Sequence, residues 1–214
     1  MKKIKIIGDS LTYGLKPFGQ GIINKNENWP NILLQKLNNF YKQDLTLLID
    51  SYPGRTIYPY KEDLGFLKTN GIDIVSSSDF YNEDFNTCII FLGTNDFIVE
   101  ESLNKIKNIF CKKEEIYNKI LIGLEKLINI IKSKTQDIDF IIICPPIVNT
   151  LMEKKFLGFH EYVVKNISIK DIKLIGLENK CDPSKEDFIN YDGLHYTQKK
   201  CDVLANVIYN EFIS

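Results

Sequence analysis

Nowhere in the 214-residue chain do apolar residues run for the roughly 20 positions that a bilayer-spanning helix needs. A basic excess is missing as well: 27 Lys and Arg nearly cancel 28 Asp and Glu, leaving a formal charge of -1. Chains built to hold nucleic acid or an anionic membrane carry such an excess, so neither partner is expected. Paired cysteines are also wanting. Cys88, Cys111, Cys144, Cys181 and Cys201 are odd in number, widely spaced and never in a C-x-x-C pair, which reads as reduced, structural thiols. The N-terminal lysines imitate the start of a secretory signal, but the apolar run behind them lasts a few residues and meets Gly8-Asp9-Ser10 without a small-residue cleavage site. A cytoplasmic protein with no membrane insertion is the expectation. Histidine is scarce, with only His160 and His195 in the whole chain.

Short apolar runs recur instead, at 4–7, 45–49, 88–92, 140–144 and, more weakly, 172–175. Each has strand length, and most are Ile-rich and nearly continuous, as in strands covered on both faces. Between them lie segments with helical spacing. Residues 29–40 place Trp29, Ile32, Leu33, Leu37 and Phe40 on one stripe; 117–131 and 199–212 do the same with their Ile, Leu and Val. The Lys-rich stretch 105–113 reads as the solvated face of a further helix. Alternating strands and helices imply a parallel sheet with right-handed crossovers, hence a three-layer α/β/α sandwich. No repeat or Gly/Ser linker divides the chain, so residues 1–214 are expected to form one domain. The long irregular stretches 52–85 and 145–159 should carry function or short elements of their own. Their aromatics, among them Tyr58, Phe66, Phe80, Phe156 and Phe159, suit an acyl or aryl site or the core equally well.

In an open parallel sheet, ligands bind beyond the carboxyl ends of the strands. Four segments should meet on that rim: Gly8-Asp9-Ser10, Ser51-Tyr52-Pro53-Gly54-Arg55, Gly93-Thr94-Asn95-Asp96 and Pro145-Pro146. Ser10 can be a turn residue, a helix cap or a nucleophile. A nucleophilic serine needs a base, a group that orients the base, and donors for an oxyanion. His195 follows Asp192 by three residues in Asp192-Gly193-Leu194-His195, a spacing that can return the carboxylate to the imidazole, although Asp-Gly is also a common turn. His160, in Gly158-Phe159-His160-Glu161-Tyr162, has no comparable Asp-Gly turn beside it and reads as a surface or packing histidine, with substrate contact as the lesser alternative. Asn95 can cap a helix or offer its amide to an oxyanion, and Gly54 can bring a backbone N–H close to a ligand. The same rim is open to other chemistry. Asp9, Asp96, Asp192 and His195 suit a divalent metal for phosphate-ester cleavage, although Asn95 and Gly54 would then lack a distinctive task. A module that binds an acyl group or a glycan without catalysis would also keep the pocket.

Taken in order, Gly-Asp-Ser-Leu near the start, a Gly after the second strand, Gly-x-Asn-Asp after the third and Asp-x-x-His near the end resemble the SGNH hydrolases, the GDSL esterase and lipase family. The likeness spans the chain. It implies a flavodoxin-like sandwich around a five-stranded parallel sheet, with Ser10 as nucleophile, His195 as general base and acid, and Asp192 orienting His195. It further implies an oxyanion hole of the Ser10 and Gly54 N–H groups and the Asn95 amide, with no cofactor or metal; Asp9 and Asp96 are left turn and capping roles. Gly-Asp-Ser-Leu-Thr-Tyr-Gly and Asn28-Trp29-Pro30 are most similar to the small arylesterase and acyltransferase members. Those act on short acyl esters of aryl or small alcohols, and some are oligomers, so a homo-oligomer is in keeping with the resemblance. Carbohydrate O-acetylesterases, lysophospholipases and thioesterases of the same family are the neighbouring alternatives.

Overall fold

The computed structural model describes residues 2–61, 69–108, 111–145, 148–149, 154–155, 157–177 and 195–214. Five strands form one parallel sheet: β1 (Lys3–Gly8), β2 (Thr46–Ser51), β3 (Thr87–Phe91), β4 (Asp139–Cys144) and, last in the chain, β7 (Ile172–Gly176). Their order is β2-β1-β3-β4-β7, which is the flavodoxin-like order. A two-stranded antiparallel ribbon of β5 (Val148–Asn149) and β6 (Lys154–Lys155) lies within the stretch after β4.

The continuous apolar runs resolve into two faces because a strand turns successive side chains to opposite sides. Ile4, Ile6, Ile89, Phe91, Ile141 and Ile143 pack with α2 (Trp29–Tyr41) and α7 (Gln198–Ile213). Ile7, Cys88, Ile90, Phe140 and Ile142 face the other way. There they meet α3 (Gly71–Ser76), α4 (Thr94–Ile106), α5 (Lys113–Lys134) and α6 (Phe159–Asn166). Both layers of helices are therefore needed to cover the sheet. Phe80 and Phe159 are buried in this second core, so core packing accounts for them; Phe66 and Phe156 lie outside the described residues.

Element ends follow local chemistry. Asn28 caps α2 by accepting from the Trp29 N–H at 2.9 Å, and Pro30 sits in the first turn, where a missing N–H costs nothing. Glu114 and Glu115 open α5 while Lys132 and Lys134 close it, matching the helix dipole. The Lys-rich stretch differs from its expected form: α4 stops at Ile106, Asn108 takes a left-handed φ of 51°, and α5 starts afresh at Lys113. The lysines there flank a break between two helices. The irregular region after β2 does carry elements of its own, α3 and a 3₁₀ turn at Ser78–Tyr81. Cys88, Cys111, Cys144 and Cys201 are free thiols. Among the described residues, no helix is long and apolar enough to cross a membrane.

Behind β1, a four-residue helix, α1 (Ser10–Tyr13), is held from α2. Its last carbonyls lack intrahelical partners, and side chains from the start of α2 take them. The Trp29 indole Nε1 donates to the Leu11 carbonyl at 3.1 Å, and Asn28 Nδ2 donates to the Thr12 carbonyl at 2.8 Å. Trp29 is fully buried and meets Phe91 edge to face. Trp29→Phe keeps an aromatic six-membered ring but removes Nε1 and strands the Leu11 carbonyl, so urea unfolding followed by circular dichroism should show a loss of about 1–3 kcal/mol.

Candidate active site

The first turn beyond β1 explains the Gly-Asp-Ser sequence. A Cβ on Gly8 would stand 2.1 Å from Thr12 Oγ1, so no side chain fits where α1 folds back over the strand. Asp9 is the cap, its Oδ1 accepting from the Leu11 N–H at 2.9 Å. Ser10 then opens α1, so its own N–H precedes the first intrahelical acceptor and is left for another partner. Cap and candidate nucleophile are thus separate residues.

From the far end of the chain, His195 arrives just ahead of α7, whose N-cap is Thr197. Its Nε2 lies 3.2 Å from Ser10 Oγ, across 185 positions of sequence. That is hydrogen-bond reach for a base and a nucleophile. Ser10 is 5% exposed, sheltered but reachable. Asp192 and Gly193 lie outside the described residues. His160 is elsewhere: its ring packs on Gly176 at the end of β7, as expected of a packing histidine.

The two residues expected to supply further donors lie after β2 and β3. Gly54 sits after β2 in a tight turn with φ 76°, a left-handed conformation that suits a residue without Cβ. The turn is closed by the Arg55 N–H donating to the Tyr52 carbonyl at 3.2 Å. Asn95, in the first turn of α4, is buried, and its Nδ2 donates to the Arg55 carbonyl at 3.0 Å. A longer contact, 3.4 Å, runs from the same Nδ2 to Asp9 Oδ2. Both partners are acceptors, so they select the amide orientation that keeps Nδ2 on this side.

Asp96 departs from the capping role expected of it. α4 starts from Gly93, which offers no side-chain cap, and the Asp96 carboxylate reaches across to the loop after β2. There it accepts from the Ile57 N–H at 3.0 and 2.8 Å and from the Tyr58 N–H at 3.2 Å. Sequence reasoning also passed over Arg55, whose side chain is 4% exposed. Its guanidinium pairs with Asp50 at 2.7 Å, donates to the Asp50 carbonyl at 2.7 Å and to Thr69 Oγ1 at 3.1 Å. The only signal for it was an Asp at the end of a strand run and an Arg just beyond the turn. Among the described residues, no group of three His, Cys, Asp or Glu side chains is placed to hold a metal ion.

No family model and no curated protein matches the chain. Solved structures do. An aryl esterase of M. smegmatis superimposes with a TM-score of 0.76 at 18% identity, over 100% of this chain and 99% of that one. A carbohydrate acetylesterase family member from Sinorhizobium meliloti gives 0.72 at 19% identity, over 98% and 96%. A lipase from a goat rumen metagenome gives 0.73 at 12% identity, over 99% and 97%. The chain shares their fold. At these identities the likeness is one of architecture, and the flavodoxin-like strand order places Ser10 and Asn95 after β1 and β3, at the point where the chain switches sides of the sheet.

Burial raises the carboxyls of both Asp9 and Asp96 to about 7, against the opposing pull of the N–H groups they accept from. A raised carboxyl binds its proton more tightly in the folded state than in the unfolded one. Its contribution to stability is therefore full below the ordinary value near 3.8 and is lost as pH rises toward about 7. Urea unfolding of the wild type and Asp9→Asn at pH 5 and pH 7 should show the wild type's advantage over the variant larger at pH 5.

Proposed function

We propose that this chain is an SGNH hydrolase, a serine esterase that cleaves small carboxylic esters through an acyl-serine intermediate. The observation that carries this reading is the 3.2 Å approach of His195 Nε2 to Ser10 Oγ, in a fold shared with esterases. Ser10 attacks the ester carbonyl as His195 Nε2 takes its proton. For Nε2 to accept, the ring proton must sit on Nδ1, and Asp192 is the group assigned to receive it and to stabilise the imidazolium. The oxyanion collects the Ser10 N–H, the Gly54 N–H and the Asn95 amide. His195 then returns its proton to the departing alcohol. Water repeats the sequence on the acyl-serine, or a second alcohol does so, which would make the enzyme an acyltransferase. The chemistry asks for no cofactor or metal, and the work is that of one domain acting on a small-molecule substrate.

For the substrate, short acyl esters of aryl or small alcohols are the first reading. Acetylated sugars form the second: a cleft of about 270 Å³ lined by Lys16, Gln20 and Glu27 reaches Tyr196 and Thr197, next in the chain to His195, while neither Ser10 nor His195 lines it. Its polar side chains could meet the hydroxyls of a sugar alcohol, and a related fold belongs to a carbohydrate acetylesterase family member.

Ser10→Ala and His195→Ala should each abolish hydrolysis of 4-nitrophenyl acetate and labelling by a fluorophosphonate while circular dichroism stays that of the wild type. Turnover at the wild-type rate in either variant would end this assignment. Asn95→Ala should lower kcat by about 10² to 10³, the scale of a side-chain oxyanion donor. Rates on nitrophenyl acetate, butyrate and octanoate, measured beside an acetylated xylose, separate the two substrate readings.

A further inference from the structure

Asp96 is fully buried, and its carboxylate is spent on backbone rather than on any group of the Ser10 and His195 pair. Only Thr56 separates the segment it holds, Ile57 and Tyr58, from Gly54 and Arg55. Those two residues bear the backbone groups that matter for the oxyanion: the Gly54 N–H, and the Arg55 carbonyl that fixes Asn95 Nδ2 at 3.0 Å. Asp96 is itself the neighbour of Asn95 on α4. One carboxylate therefore ties the helix that supplies the side-chain donor to the loop that supplies the backbone donor. The Arg55 side chain anchors the same loop to Asp50 near the end of β2.

We propose that Asp96 is a positioning residue for the oxyanion hole, which locks the loop after β2 to the start of α4 so that Gly54 and Asn95 aim their donors at one point. The proposal rests on the esterase reading for its kinetic consequence, but the locking itself is a property of the fold. Three backbone contacts on one carboxylate leave little freedom to the segment between. Without them the Arg55 carbonyl is free to drift, and Asn95 loses the shorter of the two contacts that select its orientation.

Asp96→Asn keeps the shape and turns one acceptor into a donor facing an N–H group. Expected for 4-nitrophenyl acetate is a fall in kcat of about 10- to 100-fold with KM nearly unchanged, the cost of a displaced donor of this kind. In an Asn95→Ala background the same substitution should cost far less, because the group it acts through is gone. Losses that simply multiply, or a lower Tm with kcat unchanged, would overturn the proposal and leave Asp96 a purely structural residue. A second readout needs no activity. In ¹⁵N-labelled protein, Asp96→Asn should shift the Asn95 side-chain amide signal and speed exchange at the Ile57 and Tyr58 amides; an unmoved Asn95 signal overturns the proposal. If the wild type shows no Ser10-dependent turnover, the esterase reading falls, and this spectrum still decides the role of Asp96.

Discussion

Asp9, Asn95 and Asp96 are all buried at the carboxyl rim of a parallel sheet, and burial of such groups is tolerable only when each meets hydrogen-bond partners. That requirement governs these three side chains. Asp9 turns to the Leu11 N–H, Asn95 to the Arg55 carbonyl, and Asp96 to the Ile57 and Tyr58 N–H groups. None of these partners lies in a regular strand: Asn95 and Asp96 tie the start of α4 to the loop after β2, and the longer contact of Asn95 with Asp9 reaches the turn after β1. Flexible connections would leave buried polar atoms orphaned.

The candidate nucleophile benefits from a second constraint of the same kind. A helix of four residues has almost no internal hydrogen bonding with which to hold its shape. α1 is ordered from outside, by the Trp29 indole and the Asn28 amide at carbonyls that lack intrahelical partners and by the tight contact of Thr12 with Gly8 at its base. Ser10 thus sits on a turn whose geometry is set by the core between the sheet and α2. In the proposed reaction, such rigidity spares the enzyme the cost of arranging Ser10 before each attack.

Much of this was legible in the linear chain. The Ile-rich runs announced strands covered on both faces, and the alternation of strands with apolar stripes announced the sandwich, because burial on two sides leaves a periodic trace in composition. Ser10, Gly54 and Asn95 stood out as reactive or donor residue types just past strand ends, and His195 as a base just before the last helix. Asp96 was misread as a cap because capping is a local habit of aspartate near helix starts, and its real partners lie 38 and 39 positions away. Arg55 was passed over for the same reason: an arginine after a turn looks solvated until the strand end beside it supplies Asp50.

The amino-acid sequence by itself determined the layers and the inventory of reactive groups, since both follow from local pattern: period-two and helical periodicity, glycine at turns, short polar residues at caps. Only the tertiary structure decided which groups meet. It brought His195 within 3.2 Å of Ser10, set Asn95 against Arg55 and gave Asp96 to the loop after β2. The physical reason is that parallel strand order, with its crossovers, carries residues far apart in the chain to one rim, and no local signal records which neighbour a side chain will find there.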